Sequence, residues 1–321
     1  MEVKQSQWKA WLYLAPTIIL LIIFTFYPIV NTFITSFLEG AHYTRVGLVY
    51  DGINVNNYIE VLTGSNMRFF NIYLKNTALA AVISVPVAII VSLLIAVALN
   101  SIPKFQKILQ TIFFLPYVTN TIAIGMVFSV MFESNQGLIN TIISFFGGNG
   151  VNWLGGNKDN IWLFEFAKDN KWFNSQYFTS LIVLLVYIVW NSLPFKILIL
   201  LSALQSVDKQ YYQAAQIDGT SKMRTFMKIT VPLLSPQIFY LLITSFIGAF
   251  KEYTSVVAIF GENASSVGER NNMATVVWYI YRKLKEGGDA GAASAGAVVL
   301  FGIILIFTLI NNYVSKKRVH Y

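Results

Sequence analysis

Six long apolar runs, at 11–37, 72–99, 108–132, 178–204, 234–260 and 290–314, constrain this 321-residue chain more than any other feature. Each is long enough to cross a hydrocarbon layer of about 30 Å as a helix. Backbone N–H and C=O groups find no water in lipid, so runs of this kind must satisfy their hydrogen bonds internally. The expected fold class is therefore all-α, a polytopic membrane protein with six transmembrane helices. Pro86 and Pro194 fall inside the second and fourth runs, where neighbouring helices can satisfy the freed carbonyls, and are read as kinks. Composition agrees: 12% of residues are charged, against roughly 25% for a soluble domain.

The formal charge of +8 comes mostly from Lys and Arg in short loops between the runs, a pattern of topology rather than of nucleic-acid binding. With both termini in the cytoplasm, the inner side collects Lys4, Lys9, Lys104, Lys107, Lys209, Lys222, Arg224, Lys228, Lys316, Lys317 and Arg318, opposed by Glu2, Asp208 and Asp218. Arg282, Lys283 and Lys285 fall on the outer side, beside Glu286 and Asp289. This orientation predicts a cytoplasmic N-terminus (1–10), a first anchor helix (11–37), a five-helix core (72–314) and a basic cytoplasmic tail (315–321). The first run is too long for a signal-peptide core and lacks a small-residue cleavage site, so it is read as a retained anchor. Trp153, Trp162 and Trp172 in the long loop 133–177 fit either an interfacial band or a docking surface for an outer partner. No cysteine is present, which excludes disulfide and thiolate chemistry. No phosphate loop of the G-x-x-x-x-G-K-[ST] type and no H-E-x-x-H occurs, so the expectation is no enzyme, no metal and no bound cofactor.

The polar segment 205–233 contains Tyr212-Gln213-Ala214-Ala215-Gln216-Ile217-Asp218-Gly219. Ser206 or Asp208 can cap a short helix, and Gly219 can end it in a left-handed turn. Thr220 or Ser221 can cap a second helix, with Met223, Phe226, Met227 and Thr230 on one face and Pro232 as its stop. Two arrangements fit: a rigid knob of two helices, or an amphipathic pair lying on lipid headgroups.

This segment resembles the EAA loop of permease subunits of binding-protein-dependent ABC importers, in the carbohydrate-uptake branch of the maltose and glycerol-phosphate type. Tyr212, Ala214, Ala215, Asp218, Gly219, Phe226, Ile229, Pro232 and Leu233 carry the resemblance, which extends through Leu14-Ala15-Pro16, Phe114-Leu115-Pro116-Tyr117 and Tyr279-Ile280-Tyr281. It implies a type I importer fold and a half-pore in the bacterial cytoplasmic membrane. The implied partners are a second homologous permease, two ATP-binding cassette subunits that bind and hydrolyse the ATP, and an extracytoplasmic solute-binding protein. It implies that Tyr212, Gln213, Ala214, Ala215, Asp218 and Gly219 dock the ATPase. Gln213 stands where the family usually has Glu, which removes one ion pair from that docking. A permease for another solute, such as an amino acid, a peptide or glycerol phosphate, is the nearest alternative. A secondary transporter would show a doubled repeat, and none is visible.

Polar residues inside the runs are the candidates for the solute path. Tyr117, Asn120 and Thr121 lie about one turn apart in the third run, and Trp190, Asn191 and Ser192 precede Pro194 in the fourth. Ser245, Glu252 and Ser255 are spaced to share a face in the fifth, with Lys251 beside them, and Glu252 lies about 24 Å along that helix from its inner end. Aromatic faces, amides and a carboxylate suit a polyhydroxylated solute; the same hydroxyls and amides also fit interhelical hydrogen bonds. The resemblance implies solute contacts at Tyr117, Thr121, Ile188, Asn191, Ser192, Ala249 and Glu252, with Ile188 and Ala249 replacing polar residues. Trp190 is added on its own chemistry. Lys196 is expected to snorkel to the headgroups. The run from Gly291 to Ala297 suits close helix packing.

Overall fold

The computed structural model describes residues 7–102, 104–154, 175–261, 273–286 and 288–318. Trp162 and Trp172 lie outside the described residues. The chain opens with α1 (Gln7–Leu21) and α2 (Tyr27–Thr35), joined by a π-helical turn at Ile22–Phe26. Four short strands follow: β1 (Leu38–Glu39) pairs antiparallel with β4 (Gly52–Ile53), and β2 (His42–Thr44) with β3 (Gly47–Val49). Then come α3 (Asn56–Arg68), α4 (Lys75–Asn100), α5 (Gln106–Val118), α6 (Thr121–Met131), α7 (Leu138–Phe145) and α8 (Ser175–Ser206). The remainder comprises α9 (Lys209–Ile217), α10 (Lys222–Thr225), α11 (Val231–Leu233), α12 (Ser235–Phe250), α13 (Thr254–Phe260), α14 (Val276–Glu286) and α15 (Ala290–Arg318).

Among the described residues, four helices are long and apolar enough to cross a membrane: Trp8–Thr35, Phe69–Asn100, Tyr177–Ser206 and Ala290–Tyr313. They match the first, second, fourth and sixth runs, and α4 and α8 continue through Pro86 and Pro194 as the sequence predicts. The third run is not one helix. It bends by 96° between α5 and α6, where Thr119 is extended and Asn120 takes up the N-cap. The Asn120 side chain accepts the N–H groups of Ile122 (2.9 Å) and Ala123 (3.3 Å), satisfying two donors that a helix start leaves open. Tyr117 and Thr121 therefore do not share a helix face. The fifth run is also interrupted: α12 ends at Phe250 and α13 starts at Thr254. Glu252 sits in that gap, so its expected face with Ser245 and Ser255 does not form. A further bend of 66° separates Lys222–Leu233 from α12. Pro232 does not stop the helix before it. The break falls at Leu234, just ahead of the Ser235-Pro236 start of α12.

The chain divides into two compact units. In the unit formed by Met1–Phe69 and Tyr279–Gly302, Asn57 donates from its buried amide to the carbonyls of Ser36 (3.0 Å) and Leu38 (2.9 Å). Gly291 is packed so tightly that an added Cβ would strike the Leu38 carbonyl and the Asn57 amide, and one at Gly296 would reach the Tyr279 ring at 3.0 Å. The small-residue run thus meets loop backbone and an aromatic ring. Lys283 forms ion pairs with Glu60 at 2.7 Å and Asp289 at 3.5 Å; the basic cluster that resists the charge rule is partly neutralised by Glu60, which the sequence did not point to.

In the other unit, Phe70–Trp278 with Ile303–Tyr321, α4 packs along α8. Ala80, Ser84, Ala88, Ser92 and Ala96 recur every fourth residue on α4, and all are buried. Small residues at that spacing let two helices approach closely where lipid removes the hydrophobic drive for association. The short helices α6 and α13 also meet closely, since a Cβ at Gly125 would strike the Ala258 side chain. Trp153 is buried, donates to Asn140 Oδ1 at 2.9 Å and packs edge-on against Phe132. It is a structural residue, neither the interfacial band nor the docking surface predicted for it. Asn140 also donates to Ser134 O and Val151 O, each at 2.8 Å, which closes the loop after α7.

Candidate functional site

A cleft of about 360 Å³ opens among α4, α5, α8, α12 and the start of α13. Tyr117, Asn191, Ser192 and Glu252 line it together, with Ile188 and Ala249 beside them. Thr121 and Trp190 are outside this lining. The Thr121 carbonyl accepts the Tyr187 hydroxyl at 2.6 Å, which ties the break between α5 and α6 to α8. The Trp190 ring packs against Phe128 at 5.3 Å. Asn120 is engaged as a helix cap, while Ser245 and Ser255 line the cleft.

The polar groups of the cleft differ in how far the protein satisfies them. Ser192 donates to Val189 O at 2.9 Å. Glu252 accepts from the Ser255 N–H at 3.0 Å through one carboxylate oxygen, and its backbone carbonyl accepts from Thr275 at 2.7 Å. The gap after α12 thus holds the carboxylate in place by its own helix-start donor. The Ser84 hydroxyl is buried with no hydrogen-bond partner. A buried polar group without a partner costs free energy, and this one is closed off behind the cleft surface. Tyr117 stacks on Phe195, with centroids 6.1 Å apart and planes at 15°, giving the cleft an aromatic wall.

Lys196 departs from expectation. It is 7% exposed and faces the cleft, and its Nζ makes a long contact of 3.5 Å to Ser192 O. Its side chain is buried against α8 and the cleft rather than extended along the helix surface, which is what separates it from a snorkelling lysine. Its signal in the sequence was its charge inside a span, which by itself points to function. Ser84 carried a weaker signal, as one member of the every-fourth-residue small series. Lys251, in contrast, is exposed and caps the end of α12.

The segment 205–233 folds as two helices meeting at a sharp corner. Asp208 caps α9 by accepting from Gln210 N at 2.9 Å, and Ser221 caps α10 by accepting from Arg224 N at 3.4 Å. Gly219 has φ +65°. Thr220 N donates to Ala215 O (2.9 Å) and Gly219 N to Gln216 O (3.1 Å), the paired bonds of a Schellman ending. Asp218 is the last residue before this turn, and its backbone N–H bonds Ala214 O. The cap of the second helix is Ser221. Tyr212 Oη and Thr230 Oγ1, 3.3 Å apart, link the two helices. Gln213, Ala214, Asp218 and Gly219 are exposed, Tyr212 is half-buried and Ala215 is buried. Ile217 and Met223 are 87% and 70% exposed, an apolar surface on the corner that nothing among the described residues covers.

Residues 88–320 match the family described as binding-protein-dependent transport system inner membrane component. The arabinooligosaccharides transport system permease protein AraP of Halalkalibacterium halodurans is 31% identical, covering 94% of this chain and 86% of its own length. AraP of Bacillus subtilis is 30% identical over 97% of this chain and 93% of that protein. Among solved structures, a chain of a bacterial alginate ABC transporter, in complex with an alginate pentasaccharide-bound periplasmic protein, superposes with a TM-score of 0.77. That chain is 19% identical, over 97% of this chain and 94% of its own.

Proposed function

We propose, from the premise that the chain belongs to the family of binding-protein-dependent transport system inner membrane components, that it is the pore-forming permease of an ABC importer for a sugar or oligosaccharide. Counting each bent pair of helices as one span gives six among the described residues, which supports a six-span arrangement with both termini on one side, and the basic inner loops favour the cytoplasm as that side. On this reading the cleft is the solute path, and the corner at Gly219 docks on one of two separate ATPase subunits. A second permease completes the pore, and an extracytoplasmic binding protein delivers the solute. ATP and the loaded binding protein bind one state of the pore more tightly than the other, and this difference moves the cleft between its two openings. The relatives named for arabinooligosaccharide transport support a saccharide as cargo.

The observation that carries this reading is one cleft lined by an amide, a fixed carboxylate and a stacked aromatic pair. Tyr117 and Phe195 offer a face to sugar C–H groups, and Asn191 and Glu252 hold hydroxyls in fixed directions. The test is uptake of arabino-oligosaccharides and maltose into liposomes containing the chain with its partner permease, ATPases and binding protein. Asn191→Ala and Tyr117→Ala are expected to lower uptake while ATP hydrolysis and assembly persist. ATP hydrolysis or uptake by the chain alone would refute the half-pore.

A further inference from the structure

The charged groups of the cleft are unequally compensated. Glu252 has a fixed N–H donor at 3.0 Å. Lys196 has a single carbonyl at 3.5 Å, and among the described residues no carboxylate lies within ion-pair distance of it. Yet Lys196 is 7% exposed, in the middle of a span. A buried ammonium without a counter-charge is costly in such a place, and a ligand that supplies the charge recovers that cost.

Resting on the reading of this cleft as the solute path, we propose that the cargo is a saccharide bearing an anionic group, a carboxylate, phosphate or sulfonate, and that Lys196 selects it. The ammonium is a compact charge with three donors, suited to one acidic substituent. Asn191 and the fixed Glu252 then take hydroxyls elsewhere on the ring. Glu252 lines the same cleft without pairing with Lys196 and disfavours an anion placed against it, so the two charges together bias the orientation of the solute. A neutral sugar leaves the Lys196 charge unmatched.

The test measures binding of radiolabelled digalacturonate, glucose 6-phosphate and the neutral galactobiose to the assembled permease–ATPase complex, without the binding protein. The wild-type complex is expected to prefer at least one acidic probe over galactobiose. Lys196→Gln is expected to reduce that preference about 30-fold, the effect of removing one member of a buried charge pair, and Lys196→Arg to retain most of it. The proposal is overturned if the wild type binds no acidic probe more tightly than galactobiose, or if Lys196→Gln leaves the ratio unchanged. Asn191→Ala separates the two levels. If it leaves binding of every probe intact, the cleft is not the solute path; if it weakens binding while Lys196→Gln leaves the ratio unchanged, only the anionic selection falls. Lys196→Met, with no polar group to bury, provides a second variant should Lys196→Gln fail to assemble, and the same loss of ratio is expected from it.

Discussion

The corner at Gly219 and the cleft around Glu252 are built in opposite ways. The corner is local: two caps, one left-handed glycine and two backbone bonds, all within Asp208–Arg224, define it. The cleft is assembled from five helices, and its shape depends on two breaks inside runs that hydropathy reads as continuous. A segment that carries its own geometry can be read residue by residue. A site made by interruption is visible only once the helices are packed.

The strongest challenge to that contrast lies where the broken runs meet. Gly125→Leu places a side chain where Ala258 already stands. Overpacking of this kind costs about 1–3 kcal/mol, and here it is expected to separate α6 from α13 and prevent assembly, as read by size-exclusion chromatography and thermal unfolding. An intact, transporting Gly125→Leu complex would show that the cleft does not depend on this contact.

Next is Glu252. Hydrogen bonds to a charged group are worth about 1.5–3 kcal/mol, so Glu252→Ala is expected to lower uptake at least tenfold. Glu252→Gln keeps an oxygen for the Ser255 N–H and is expected to be the milder change. Equal loss from both would assign the role to charge rather than to position.

Gly219→Val probes the local side of the contrast. No atom lies within 4 Å of the added Cβ, so the penalty is purely conformational. A left-handed residue with a side chain costs about 1–2 kcal/mol, and more for a branched one. The expected result is lost uptake with unchanged affinity for probes in the cleft; loss of both would merge the two regions into one functional element.

Asn120→Ala removes an N-cap and is expected to cost about 1 kcal/mol of stability, read as a small fall in the unfolding temperature. A larger loss would mean that the Asn120 side chain itself holds the 96° bend.

The smallest effect lies in the other unit. Hydrogen bonds from Asn56 and then Asn54 hold the Glu39 carboxylate below its ordinary pKa of 4.5. A folded pKa below the unfolded one stabilises the fold above the unfolded value and loses that contribution as pH falls through the folded value. Asn56→Ala is therefore expected to change stability slightly at pH 7 and not below the folded value, where the carboxyl is protonated in both states.

These experiments also sort what the sequence could tell. Apolar length located the four unbroken spans despite the prolines inside them, and capping chemistry located the corner. Periodicity cannot register a break when apolar residues continue on both sides, as they do around Asn120 and Glu252. Asn120 did carry a signal, since asparagine is a favoured N-cap, but inside an apolar run it read equally well as a pore residue. Lys196 was read by the reach of its side chain, and its burial in the cleft follows from packing between helices that one span does not show. Trp153 was read by type, and its partner Asn140, thirteen residues earlier, gave no pattern that would link the two.

One elbow connects the two regions. From the Ser221 cap the chain is helical to Leu233, turns by 66°, and is helical again to Phe250, two residues before the Glu252 carboxylate. Leu234, at the turn, is 1% exposed and so is gripped by its surroundings. The arm on the Gly219 side has 12 residues, about 18 Å, and α12 has 16, about 24 Å. This is the geometry of a bell crank with a fixed pivot. With the elbow held rigid, a push on the short arm would swing the long arm in another direction, enlarged by about one third, against the break that holds the carboxylate.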